Sequence, residues 1–292
     1  MTQCSMVRIC ALWTGLLILA SVLAIRAVPA RGESIAMVTD FSGKASVPGK
    51  GTLTILSEIE AGARIQLDAG ARLVAIYLKS GDEYVFSGPA QIQFRANEPQ
   101  APSGAKPQKR ANPLGKGGKD ITIKPVSVMQ AGFVMRGGRA TARIKLLSLS
   151  GTRTLEASPE FRWQEVEPGA QYRFELTDDT GRSLYDTTVS GSSLSLPASE
   201  QLREGVNYTW EISARLPDGQ RYVNVGDFSI ASADLRAQVE ALRPAPSAPL
   251  STRVAYAAWL EQMDLKDEAR KYWKALAAER PDDTRLKALA AE

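Results

Sequence analysis

Short β-forming runs separated by glycine dominate residues 34–95 and constrain the fold of this chain more than any other feature. Glycines such as Gly43, Gly62 and Gly70 fall in the gaps, where tight turns need positive φ angles. No helical period fits the stretch, so the pattern predicts an all-β module over residues 33–150. The runs are 35–38, 53–56, 64–67, 72–78, 83–86 and 90–94.

Alternation of apolar and polar residues resumes over residues 154–232 and predicts a second β module. Turn signals such as the DDTG sequence at 178–181 separate its runs at about 8–12 residues, which is typical of a β-sandwich. Trp163, Tyr208 and Trp210 alternate with polar residues, so we expect them in the core rather than stacked on a sugar.

The hydrophobic period changes to that of a helix from residue 233 onward. Asp264 is predicted to break a helical hairpin, and Pro281 is predicted to end it. A single hairpin cannot bury its own apolar face, so it must pack on the β modules, on the last helix or on a partner. The predicted helices are 233–242, 251–263, 266–279 and 283–291.

The first module carries the string IAMVTDFSGKASV, followed by LTILSEIEAGARIQLDAGARLVAIYLKSGDEYVFSGPAQIQF. In its alanine–valine opening, its glycine turn and its SG and GPA turns it resembles the periplasmic FecR-type domain. That resemblance implies an all-β periplasmic module. Proteins of this type relay an outer-membrane transport signal to a sigma factor through a cytoplasmic N-terminal portion, which we expect to be missing here.

The second module, with SPEFRWQEVEPGAQYRFELTDDTG and NYTWEI, resembles fibronectin type III and related immunoglobulin-like bacterial domains. The helical hairpin resembles a tetratricopeptide repeat, because Ala257, Ala269 and Pro281 recur every twelve residues. The large positions of that repeat are Tyr256, Leu260 and Trp273. We therefore expect a mainly β, multidomain fold: a FecR-like module, an immunoglobulin-like sandwich and a helical region over 233–292 with a short α-hairpin.

The N-terminus has the pattern of an export signal. Arg8 precedes an uninterrupted apolar run over residues 9–25, and small residues follow at 27–32. Residues 1–32 are therefore predicted to be a signal peptide of a periplasmic protein, cleaved after Ala30 or Gly32. The apolar run is slightly shorter than the about 20 residues of a membrane span, and its retention as an inner-membrane anchor stays an alternative.

Residue types that are missing exclude several classes of chemistry. The chain has no histidine, and both cysteines, Cys4 and Cys10, lie in the predicted signal segment. Histidine-dependent triads and zinc sites are therefore impossible, and the mature chain has no thiol. We expect a protein that is not an enzyme and that holds no metal or cofactor.

Basic residues concentrate between Arg95 and Arg153, where twelve lysines and arginines face only Glu98 and Asp120. Within this stretch, residues 96–120 are predicted to be a disordered basic insertion, because they hold almost no large apolar side chain. Its contacts with an anionic glycan, a membrane surface or the protein's own acidic face would come from Lys106, Lys109, Arg110, Lys116 and Lys119. A solvated linker is equally compatible, and no nucleic acid is expected.

Protein binding is the predicted function, in a non-catalytic scaffold of the bacterial cell envelope whose partner is another envelope protein. Sandwich edges can pair with a partner's strand, and Tyr256, Trp259 and Tyr272 on the hairpin are further predicted contacts. Two alternatives stay open. One is a cell-wall or polysaccharide binder that uses Tyr222 and the loop lysines. The other is a membrane-anchored envelope signalling protein without the sigma-regulating portion.

Overall fold

The computed structural model describes residues 33–48, 51–112, 114 and 142–291. The chain divides into a unit Met1–Glu33 and a compact unit Ser34–Glu292, which carries every element below. The predicted signal peptide, Lys116 and Lys119 lie outside the described residues. Within the described ranges, no helix is both long and apolar enough to cross a membrane.

Two antiparallel sheets form the first β module. One has the strand order β3-β1-β5-β6-β9 and the other the order β2-β4-β7-β8. Side chains from both sheets, such as Val38, Leu73 and Phe94, share one core. The strands are β1 (Ser34–Ser42), β2 (Ala45–Ser46), β3 (Glu58–Glu60), β4 (Arg64–Leu67), β5 (Arg72–Tyr77), β6 (Glu83–Ser87), β7 (Ala90–Phe94), β8 (Pro99–Ser103) and β9 (Gln108–Arg110).

The central strands of the first sheet are buried on both faces. Val38 and Leu73 point towards the opposite sheet, whereas Met37 and Ile76 join a second core that is formed mainly by the C-terminal helices. This double burial explains why β5 reads as a continuous apolar run, because a strand with one solvated face would alternate.

Residues 99–103 and 108–110 form strands, so the prediction of a disordered insertion over 96–120 is wrong for this part. β8 pairs with β7 and β9 pairs with β6, which carries the chain from one sheet to the other. Proline and lysine are weak strand formers, but edge strands held by backbone hydrogen bonds tolerate them. Gly104, with φ of 94°, is required at the crossing, since a Cβ there would lie 2.6 Å from the Pro89 carbonyl oxygen.

The second β module packs a five-stranded sheet, ordered β10-β16-β15-β12-β13, against the two-stranded sheet β11-β14. Trp163, Tyr208 and Trp210 are at most 2% exposed, which confirms their predicted place in the core. The rings of Phe161 and Phe174 meet edge to face at 4.8 Å between the two sheets. The strands are β10 (Thr152–Thr154), β11 (Glu160–Arg162), β12 (Gln171–Asp178), β13 (Ser183–Ser190), β14 (Ser193–Ser195), β15 (Asn207–Arg215) and β16 (Arg221–Ile230).

Four helices follow in the described chain, and their hairpin breaks at Asp264 as predicted, where φ is 59°. Every residue from 254 to 260 on the second helix is buried, because β1, the first helix and the third helix all pack on it. The mainly β fold with a short C-terminal helical hairpin is therefore confirmed. The helices are α1 (Ala233–Leu242), α2 (Leu250–Gln262), α3 (Lys266–Glu279) and α4 (Thr284–Ala291).

Two buried acids lie in the first sheet beside the helical region. Asp40 on β1 accepts hydrogen bonds from Arg72 Nη1 at 2.5 Å and from Arg280 Nη2, at the end of α3, at 3.1 Å. Glu83 on β6 is 2% exposed and accepts a bond from Asn112 Nδ2 at 3.3 Å. Burial raises the pKa of Glu83, and hydrogen bonds from its neighbours oppose that shift.

Candidate functional site

Tyr256 and Trp259 are each 1% exposed, so the structure corrects the prediction that they contact a partner. The Tyr256 hydroxyl donates a hydrogen bond to the Val239 carbonyl at 3.0 Å, and burial raises the pKa of this phenol. Both side chains belong to α2, which is covered on all sides. Their size serves the packing of the helices rather than recognition.

Tyr222 and Tyr272 are half-buried, and their predicted contacts stay predictions. Tyr222 on β16 packs against the core of the second sandwich. Tyr272 on α3 lies edge to face with Tyr256, with 5.0 Å between the ring centroids. The polysaccharide alternative needs Tyr222 and the loop lysines together. Tyr222 lies in the second β module, whereas Lys106 and Lys109 lie in the first, and no contact between described residues joins them.

The basic residues of the β8–β9 crossing lie beside acids of the same module. Lys106, Lys109 and Arg110 are exposed. Lys109 Nζ lies 2.9 Å from an Asp82 carboxylate oxygen, and this hydrogen bond raises the pKa of Lys109. Arg110 pairs with Glu83 in the β6–β9 register. Contact with the protein's own acids, one of the three anionic contacts predicted for these residues, is therefore present in the structure.

One edge of the five-stranded sheet is closed by the turn between α2 and α3. The Arg153 backbone N–H donates to the Asp264 carbonyl at 2.6 Å, and Thr152 Oγ1 donates to the same oxygen at 3.0 Å. The Lys266 N–H donates to Thr152 Oγ1 at 3.1 Å. Hydrogen-bonding groups along β10 are thus occupied by the helical hairpin.

The opposite edge, β13, is open. It pairs with β12 through seven residue pairs, and among the described residues no strand lies on its other side. In an antiparallel edge strand, half of the N–H and C=O groups point away from the neighbouring strand and stay available. Natural edges are commonly protected by lysine, proline, a β-bulge or shortness. β13 has the sequence SLYDTTVS, with eight residues and neither lysine nor proline; its register with β12 shifts once, at Leu184, and is regular over residues 185–190.

The side chains of β13 leave this edge nearly neutral. Tyr185, Thr187 and Val189 point towards the sandwich core, and Asp186 and Thr188 are exposed on the outer face. The single charge, Asp186, is held by the Arg173 guanidinium at 2.6 Å, and this hydrogen bond lowers the pKa of Asp186. Because the charge is paired inside the sheet, the edge presents β-branched and aromatic residues that favour a further strand.

Within the described ranges, no group of three or more acidic, histidine or cysteine side chains is placed to hold a metal ion. The expectations that the protein is not an enzyme and needs no cofactor stay predictions. The open edge of β13 is the candidate binding site.

Comparisons with known proteins add no family to this description. No protein-family model matches the chain, and no curated protein matches it. Among solved structures, CopC from Methylosinus trichosporium OB3b is 16% identical with a TM-score of 0.24, over 30% of this chain and 93% of that chain. The fn3 domain of human collagen alpha-1(XX) chain is 14% identical with a TM-score of 0.23, over 41% of this chain and 96% of that chain.

A tetra-tandem repeat in the extending region of a large adhesion protein is 12% identical with a TM-score of 0.23, over 67% of this chain and 50% of that chain. TM-scores this low carry no argument about fold or function. The FecR-type, fibronectin-type and tetratricopeptide-type resemblances accordingly stay predictions.

Proposed function

We propose that this chain is an exported, non-catalytic binding protein of the bacterial cell envelope that takes an extended strand of a protein partner along β13. The observation that carries the proposal is the open eight-residue edge of the five-stranded sheet. Its first module would be of the FecR type, and its N-terminal segment would direct export.

Strand addition to an open edge is an established way for a β-sheet to bind a protein. Backbone hydrogen bonds supply affinity, and alternate side chains of the added strand supply specificity. Along β13 the supporting features are its length, its paired charge and its inward Tyr185 and Val189. A strand that pairs here extends both the hydrogen-bonded ladder and the apolar inner face of the sandwich.

A protein partner accounts for these features better than a polysaccharide. Sugars are commonly held by an open aromatic face, whereas the large aromatics of this sandwich, Phe161, Trp163 and Trp210, are buried. The unpaired groups of β13 repeat at the spacing of a polypeptide backbone. That repeat matches an extended peptide.

Site-specific photo-crosslinking in the producing cell tests the proposal. A benzophenone amino acid placed at Thr188, on the exposed face of β13, should capture a protein strand that pairs with the edge. Thr209 is the matched control, because it is also an exposed threonine on the outer face but lies on β15, two strands inside the sheet. We expect a discrete protein adduct at Thr188 and none at Thr209.

Three outcomes contradict the proposal. No adduct at Thr188, or equal adducts at both positions, removes the edge as a specific site. An adduct that is sensitive to glycan hydrolases and resistant to protease favours the polysaccharide alternative. Fractionation tests export separately, because unprocessed protein in the cytosol would contradict a role in the envelope.

A further inference from the structure

We infer that the strand added to β13 is β13 of a second copy of this chain, paired antiparallel about a two-fold axis through Thr187. The inference rests on the proposed function, since it names the partner of the same edge. A symmetric pair requires one surface to complement itself. β13 satisfies this requirement in one register.

The register follows from the alternation of side chains. In antiparallel pairing, residues that lie directly opposite each other share a face. The two-fold axis must therefore place one residue opposite the same residue of the other copy, and we name the axis by that residue. An axis through Asp186 places two like charges opposite each other, which is unfavourable. An axis through Thr188 places Tyr185 opposite Gly191, which lies in the turn outside the strand, so the apolar inner residues are not joined. The axis through Thr187 pairs residues 185–189 of each copy, and all of them lie where the register with β12 is regular.

On the inner face, this register joins apolar residues of the two copies. Tyr185 of one copy lies opposite Val189 of the other, and the two Thr187 residues lie opposite each other. Behind them, Tyr185 and Val189 already pair with Leu176 and Tyr172 of β12. Aromatic residues opposite β-branched residues are among the favourable cross-strand pairs, so the apolar face continues from one copy into the next.

On the outer face, the register brings opposite charges towards each other. Glu211, Glu175 and Asp186 lie side by side on β15, β12 and β13. The next residue in this row is Thr188 of the second copy. Thr188 is followed on β12 by Arg173. Arg173 already holds Asp186 of its own copy at 2.6 Å, so the second copy adds a further guanidinium beyond one threonine from each Asp186, and the arrangement occurs twice by symmetry. This complementarity favours a second copy over an unrelated strand.

Substitutions of opposite charge at Thr188 distinguish an effect on dimer association from an effect on folding. Within one copy, Thr188 lies opposite Arg173, so Thr188→Asp should favour the fold and Thr188→Lys should disfavour it slightly. Between copies, position 188 lies opposite Asp186 of the second copy. Thr188→Asp should therefore weaken association and Thr188→Lys should strengthen it. The two effects have opposite signs, so a loss of folding cannot imitate the predicted result.

Sedimentation equilibrium of the purified exported protein measures the association, and urea unfolding checks the fold. We expect a wild-type dimer whose Kd rises roughly tenfold with Thr188→Asp and falls roughly tenfold with Thr188→Lys, as two charge contacts per dimer imply. Thr209→Asp, the same change on the same face inside the sheet, should leave the Kd unchanged. The photo-crosslink at Thr188 should have the mass of two chains.

The possible failures are distinct. A wild-type monomer at every soluble concentration, or a dimer insensitive to both changes at position 188, overturns the inference. If Thr188 then captures a different protein, the proposed function stands and only the second copy is excluded. If Thr188 captures nothing, both are overturned.

Discussion

Gly226 lies on β16 directly against the indole of Trp210, and its replacement by alanine tests how the second sandwich is packed. A Cβ at this position would lie 2.4 Å from Trp210 Nε1 and 2.8 Å from the Leu149 carbonyl oxygen. Carbon atoms pack at about 3.5 Å or more, so the indole must move by about 1 Å. The backbone of Gly226 is not in the left-handed region, so alanine strains only the packing.

The displacement breaks a buried hydrogen bond. Trp210 Nε1 donates to the Leu149 carbonyl at 2.8 Å, and a further 1 Å takes the pair beyond bonding distance. Two unsatisfied groups cost about 1–3 kcal/mol, and overpacking of the core costs about 1–3 kcal/mol. Alanine also lowers the conformational entropy of the unfolded chain, which stabilises the folded state by about 0.4–1 kcal/mol. We expect Gly226→Ala to reduce the free energy of unfolding by about 2–5 kcal/mol.

Urea unfolding gives the stability change, and the indole N–H signal of Trp210 in a ¹H–¹⁵N spectrum reports the hydrogen bond. Gly219→Ala is the control, because Gly219 has φ of 85° and open space around it. That change should cost about 1–2 kcal/mol of backbone strain and leave the Trp210 signal in place. A Gly226→Ala protein of wild-type stability, or one with an unmoved Trp210 signal, would refute the reasoning.

Three further predictions concern the helices and the first sheet. Burial raises the pKa of Glu83 in the folded protein. The contribution of this side chain to stability is therefore complete below about pH 4 and declines as pH rises through the folded-state pKa. Thermal melts should show that Glu83→Gln becomes more stable than the wild-type protein towards about pH 8. Asp40→Asn should cost about 1.5–3 kcal/mol in urea unfolding. Asp186→Asn, in an exposed pair, should leave stability nearly unchanged, and equal losses would contradict the importance of burial. Tyr256→Phe leaves a buried carbonyl unpaired and should cost about 1–3 kcal/mol, and an unchanged unfolding midpoint would exclude that bond.

Features that depend on local periodicity could be predicted from the sequence. The alternation around Trp163 and Trp210 indicated core positions, and the break at Asp264 followed from the change of pattern between two helical runs. Local patterns cannot report backbone pairing between distant strands. For this reason β8 and β9, rich in proline and lysine, read as disorder although they pair with strands of both sheets.

Burial on every side is also invisible to a local pattern. Tyr256 and Trp259 read as surface residues of a small hairpin, because nothing in their own helix shows that a sheet and two other helices cover it. The open edge at β13 could not be predicted for the same reason. The sequence predicted that sandwich edges can pair with a strand, but which edge stays open depends on the helical turn that occupies β10.

The occupied edge at β10 limits how far a strand-paired assembly can grow. A sheet with two open edges adds subunits at both ends and becomes a filament, whereas a sheet with one open edge is complete after a single addition. If copies pair along β13, Asp264, whose carbonyl accepts bonds from Arg153 and Thr152, would stop further strand addition at the β10 edge. The helical hairpin would in this way keep the five-stranded sheet from extending into fibres.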